Sequence, residues 1–146
     1  MPETLPDATV TAWARLARVS QGVLAAVEAD LKAAGQPPLA WYDALLELKR
    51  AGEGGLRPAE LQTHMLLAQY NLSRLLDRLE DAGYITRRPC PEDGRGQVVA
   101  ITAEGRRLLP RMWRTYQAAI RDHFADKLSA DEANTLGRLL AKLSPR

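Results

Sequence analysis

The chain has 146 residues, 46% hydrophobic and 26% charged, the balance of a folded globular domain and not of a disordered segment. Charges interrupt every apolar stretch before the roughly 18 residues a membrane span requires, and Met1-Pro2-Glu3-Thr4-Leu5 lacks the basic start and apolar block of a signal peptide, so a cytoplasmic protein is expected. A single cysteine excludes an internal disulfide framework, two scattered histidines exclude a structural zinc site, and a net charge of +2 is too small to announce a nucleic-acid partner by itself.

Residues 8–34 read as a long helix, because Val10, Ala17, Leu24 and Leu31 recur every seven residues and Trp13 and Val27 widen the stripe. Gly35 and Pro37-Pro38 stop it. A second helix follows over 38–51, with Trp41, Leu45 and Leu48 inward. After the loop 52–55, Leu56-Arg57 suggests a short strand, and Pro58 opens a short third helix. A fourth helix is predicted over 69–82: Leu72, Leu75, Leu76 and Leu79 share one face, while Tyr70, Ser73, Arg74, Asp77, Arg78 and Asp81 share the other. Gly83 is its stop. Two strands, 84–88 and 97–102, are joined by the turn-rich stretch 89–96. Thr102 can cap a fifth helix that bends at Pro110 and runs to near Leu128. Five arginines between 106 and 121 (Arg106, Arg107, Arg111, Arg114, Arg121) have no acid among them and read as a solvated helix face. Ser129 and Glu132 form a capping box for the last helix, whose stripe is Leu136, Leu139, Leu140 and Leu143.

A short helix, a tight turn, a longer helix and a β-hairpin form the plan of a winged helix-turn-helix, whose longer helix fits a B-DNA major groove. The predicted fold is therefore mainly α with a small β-hairpin wing. The ordered set Leu75-Leu76-Asp77-Arg78-Leu79-Glu80-Asp81-Ala82-Gly83-Tyr84-Ile85, Arg87-Arg88, Asp93-Gly94-Arg95 and Ile101-Thr102-Ala103-Glu104-Gly105-Arg106 resembles the MarR family of bacterial transcriptional regulators. The similarity is clearest over 61–106. Two places depart from it: the turn Leu66-Leu67-Ala68 has no glycine, and Gly94 takes a wing position that is often basic.

The resemblance implies one chain, 1–146, with a winged lobe over 52–102 and helical dimerisation regions over 8–51 and 103–146, residues 39–51 also packing on the lobe. It implies a homodimer in which Val10, Ala17, Phe124, Leu128, Leu136, Leu139, Leu140 and Leu143 meet across a two-fold axis. The partner it implies is double-stranded DNA with a pseudo-palindromic operator. Of the implied contacts, Gln69, Tyr70, Asn71, Ser73 and Arg74 lie on the recognition helix, where Gln and Asn suit adenine, Arg suits guanine, and Tyr or Ser suits phosphate. Arg78, one turn later, serves the backbone or pairs with Asp77 or Asp81. Arg87 and Arg88 are phosphate candidates at the base of the wing. Arg95 resembles the family's minor-groove residue, with Asp93 orienting it or tying the wing to the helix.

Such regulators are often repressors released by a small aromatic or phenolic anion, and Trp13, Trp41, Tyr42, Asp43 and His64 supply aromatic walls and polar anchors for one. Cys90, between two prolines and near Arg87 and Arg88, offers a thiol-redox alternative, though no second cysteine is present to resolve a sulfenate. A winged-helix protein-interaction module without DNA binding is the other alternative. No catalytic triad order and no lysine-bearing phosphate loop is found, so no enzyme, cofactor or metal is expected.

Overall fold

Gly35 and the two prolines after it separate the first two helices as their backbone chemistry requires: α1 spans Asp7–Ala33 and α2 spans Leu39–Ala51. The computed structural model describes residues 3–66, 71–90 and 93–144, and of 93–95 it describes the backbone only. The remaining elements are α3 (Pro58–His64), α4 (Leu72–Asp81), β1 (Ile85–Cys90), β2 (Asp93–Ile101), α5 (Ala103–His123) and α6 (Ala130–Leu143), with a 3-10 turn at Ala125–Lys127. The fold is mainly α with one antiparallel two-stranded hairpin. No helix among the described residues is long and apolar enough to cross a membrane.

The chain forms two compact units, one from Met1–Asp30 with Tyr116–Arg146 and the other from Leu31–Thr115. The expected winged lobe, 52–102, lies inside the second unit, which also takes in α2 and α5 as far as Thr115.

In the second unit α2 is the central post. Its buried face, with Ala44, Leu45 and Leu48 closed to solvent, packs on α3, α4 and β2. On α4 the leucines Leu75, Leu76 and Leu79 go inward and the intervening polar residues outward, as their spacing dictates. Gly83 ends that helix at φ +84°, a backbone conformation that costs L-residues with a Cβ, and the Tyr84 N–H then reaches the Leu79 carbonyl at 2.9 Å. The chain turns directly into the wing. Leu56 adds a short antiparallel bridge, exchanging hydrogen bonds of 2.8 and 2.9 Å with Val99. Thr102 then caps α5, accepting the Gly105 N–H at 3.1 Å and donating to the Gly83 carbonyl at 2.7 Å.

The wing corrects one expectation. Residues 89–96 are expected as a loop, but Pro89 pairs with Gln97, and after a register shift Cys90 pairs with Asp93. A two-stranded ribbon has no third strand that needs the missing Pro89 N–H, so proline is tolerated inside it.

The first unit is thinly packed. Val27 on α1 and Ala119 on α5 are buried, but no residue of α6 is. The capping box that opens α6 forms as expected: the Glu132 N–H reaches Ser129 Oγ at 3.1 Å, and the Ser129 N–H reaches Glu132 Oε1 at 2.9 Å. His123 Nε2 lies 2.8 Å from Asp30 Oδ2 and ties the end of α5 to α1. The helix expected to reach Leu128 stops at His123, because Phe124 leaves helical geometry (φ −137°, ψ −63°) before the 3-10 turn. Of the expected interface residues, Val10, Phe124, Leu139, Leu140 and Leu143 are exposed, and Ala17, Leu128 and Leu136 are half-buried.

Candidate nucleic-acid interface

The exposed side of α4 and the wing beside it make the surface. Asn71 is the N-cap of α4, its Oδ1 accepting the Arg74 N–H at 3.1 Å. That fixes the first turn. It also commits one of the two polar atoms that a bidentate adenine contact would use. Ser73, Arg74, Asp77 and Arg78 are exposed, and Arg74 and Arg78, four residues apart, stand one above the other on the same face. Gln69 and Tyr70 lie outside the described residues.

In the wing the arginines have different fates. Arg88 is exposed, with one guanidinium N–H directed at the Glu53 carbonyl at 3.4 Å. Arg87 is turned toward the helix. Its Nη2 lies 2.8 Å from Asp77 Oδ1 and 2.6 Å from Glu80 Oε1, and its Nε reaches the same Glu80 oxygen at 3.2 Å. The hydrogen bonds from Arg87 hold the Glu80 carboxyl below the usual glutamate range and raise the guanidinium's own pKa. Arg87, expected as a phosphate candidate, thus holds two carboxylates of α4 with its Nε and Nη2. Asp93 and Arg95 lie on β2, and their side chains are outside the described residues.

Arg87 was legible as a wing arginine, but Glu80 as its partner was missed. The available signal was the pair of acids Asp77 and Glu80, one helical turn apart, ahead of a basic strand.

Of the residues expected at a ligand crevice, Trp13 belongs to the first unit and Trp41, Tyr42, Asp43 and His64 to the second, where they have separate neighbours. Trp41, Tyr42 and Asp43 are consecutive in α2, so their side chains leave the helix about 100° apart. Trp41 meets Tyr84 edge-on with ring centroids 6.0 Å apart, and Tyr42 stacks on Trp113 at 6.0 Å and 21°. Burial raises the Tyr42 pKa, partly offset by the charge of Arg50. Asp43 is 6% exposed, and its Oδ1 accepts the Leu66 N–H at 2.9 Å, just past the end of α3. His64 is exposed at the last position of α3, and Trp13, on the other unit, is 69% exposed. Cys90 is buried, with an Arg57 guanidinium N–H directed at its Sγ at 3.1 Å.

A family model described as the MarR family matches residues 36–96. An HTH-type transcriptional regulator of Bacillus cereus is 30% identical over 104 residues, covering 71% of this chain and 67% of that protein. The crystal structure of Sco3205, a MarR family transcriptional regulator from Streptomyces coelicolor in complex with DNA, superposes with a TM-score of 0.84 at 25% identity, covering 98% of this chain and 89% of that one. The chain belongs to the MarR family. Among its MarR relatives, the multiple antibiotic resistance protein MarR of Salmonella typhimurium is 34% identical over 92 residues. The match takes in 63% of this chain and 64% of the Salmonella MarR, so it spans under two thirds of that relative's length. The Bacillus cereus and Streptomyces coelicolor relatives are transcriptional regulators.

Proposed function

We propose that this MarR-family chain is a sequence-specific, double-stranded-DNA-binding regulator that acts as a homodimeric repressor. The observation that carries the reading is the exposed face of α4, with Arg74 and Arg78 stacked above one another beside a two-stranded wing, on a fold shared with a regulator solved in complex with DNA. Arg74, in the first turn of α4, is the residue for base reading. Ser73, Arg78 and Arg88 serve phosphates, and Arg95 serves a minor groove. A duplex selected from a random DNA library by the wild-type protein supplies the probe. Arg74→Ala weakens binding to it by about 1–3 kcal/mol and relaxes discrimination at one base pair. Unchanged affinity and unchanged base preference would place the reading surface elsewhere.

Pairing through the first unit is supported by the apolar side chains it leaves exposed, and it would double the number of phosphate contacts per complex. Repression is read by placing the selected duplex across a reporter promoter, where expression of the protein lowers transcription. Release by a small aromatic anion rests on chemistry alone: the Trp13 indole is exposed and offers a stacking surface. Saturable quenching of tryptophan fluorescence by a salicylate-like anion, lost in Trp13→Phe and opposed by the duplex, is the expected result.

A further inference from the structure

Resting on the DNA-binding reading above, we propose that Arg87 is a positioning residue of the interface: it braces the wing against the recognition helix and cancels the charge of Asp77 and Glu80, and it does not contact phosphate.

The helix that faces the polyanion carries Arg74 and Arg78 against Asp77, Glu80 and Asp81, two cations against three carboxylates. Left to itself, α4 would present net negative charge beside a phosphate backbone. Arg87 changes that balance from a different element. Its guanidinium uses Nη2 and Nε on the two acids, and its side chain keeps only 22% exposure, whereas Asp77 and Glu80 keep 61% and 40%. Its Nε and Nη2 donors, the edge that would bind a phosphate in a fork, face the two acids. The bond pattern also fixes geometry, because a planar guanidinium held by two carboxylates one helical turn apart sets the direction of β1 relative to α4. Arg88, the next residue, projects on the other side of the strand and remains the phosphate candidate at this end of the wing.

A charge-neutralisation cycle separates cancellation from contact. The full-length protein is titrated with the duplex it selects from a random library, across a salt series, as wild type, Arg87→Gln, Asp77→Asn/Glu80→Gln, and the triple variant. With cancellation, Arg87→Gln weakens binding about tenfold, the triple variant recovers to within about threefold of wild type, and the slope of log K against log salt stays that of wild type. With a phosphate contact, the acids' removal gives no recovery in the Arg87→Gln background, and the slope falls by about one for each phosphate that is no longer neutralised. That result overturns the proposal. Bracing is read separately, by amide hydrogen exchange without DNA: Arg87→Gln raises exchange in the strand 85–90 while α2 is unchanged, and equal protection in both proteins overturns the positioning half. If the wild-type protein enriches no duplex, the DNA-binding reading fails, and the exchange result still decides the brace.

Discussion

A carboxylate as buried as Asp43 persists in a fold because it has a donor to hold, and here the donor is the Leu66 amide between α3 and α4. Asp43→Ala strands that N–H and is expected to destabilise the protein by about 1–3 kcal/mol, read as a shift of the urea midpoint at constant slope. Asp43→Asn keeps an acceptor at the same reach and loses less; equal losses for the two variants would show that the hydrogen bond is not what Asp43 supplies. Tyr42, the preceding residue, gives a pH signature. Burial raises its pKa, so the neutral phenol is favoured in the folded protein. The associated stability is fully present below the ordinary tyrosine pKa and is lost as pH rises through the raised folded value. Tyr42→Phe abolishes that alkaline loss, and an alkaline denaturation profile identical to wild type would refute the assignment. Neither role was legible from residue type. An aspartate beside two aromatic residues reads as a ligand anchor, and only the helical rotation between neighbours, combined with the packing of α2, gives the three side chains their separate neighbours.

At the scale of elements, local chemistry was readable wherever one or two residues set a boundary. Gly35, Gly83, Thr102 and the Ser129–Glu132 box each end or begin a helix through a bond formed within a few residues, and each sits where the sequence placed it. The end of α5 carried no such mark: residues 122–127 contain neither glycine nor proline, and the break at Phe124 is not written in propensity. The Arg87 brace was hidden for a related reason. Its acids lie seven and ten residues upstream on another element, beyond the helix spacing rules by which ion pairs are read from sequence. The glycine in Ala103-Glu104-Gly105-Arg106 is a further case of meaning supplied by a neighbour. Gly105 sits buried in the first turn of α5, where an added Cβ would strike the Tyr84 carbonyl oxygen and the Ile101 side chain. Gly→Ala in a helix ordinarily stabilises by about 1 kcal/mol. Here the sign reverses, and Gly105→Ala is expected to lower stability by about 1–3 kcal/mol because the wing and α5 must move apart. A raised midpoint for Gly105→Ala in thermal or urea unfolding would contradict the close approach.

For the molecule as a whole, the first unit poses a problem of burial that a second copy of the chain would solve. A helix of 14 residues such as α6 is marginal by itself and draws its stability from covering an apolar stripe. Yet Leu139, Leu140 and Leu143 are exposed, as are Val10, Trp13, Leu16, Val19 and Leu24 along α1. So many large apolar side chains on one unit exceed the scattered exposure normal for a monomer and mark an association surface. A self-complementary pairing about a two-fold axis is the simplest closed arrangement, and it would carry two copies of α4 to two half-sites of a palindrome. Light scattering at micromolar concentration is expected to report about twice 16.1 kDa, with a melting temperature that rises with protein concentration. The informative substitutions are Leu139→Asp and Leu143→Asp, because both side chains are exposed in the single chain and leave its core intact. Together they are expected to halve the mass, lower the melting temperature and remove cooperative binding to the selected duplex, while the helical circular dichroism of the second unit survives. A wild-type protein that scatters as one chain, melts independently of concentration and still holds the duplex would show that the apolar stripes serve something other than pairing.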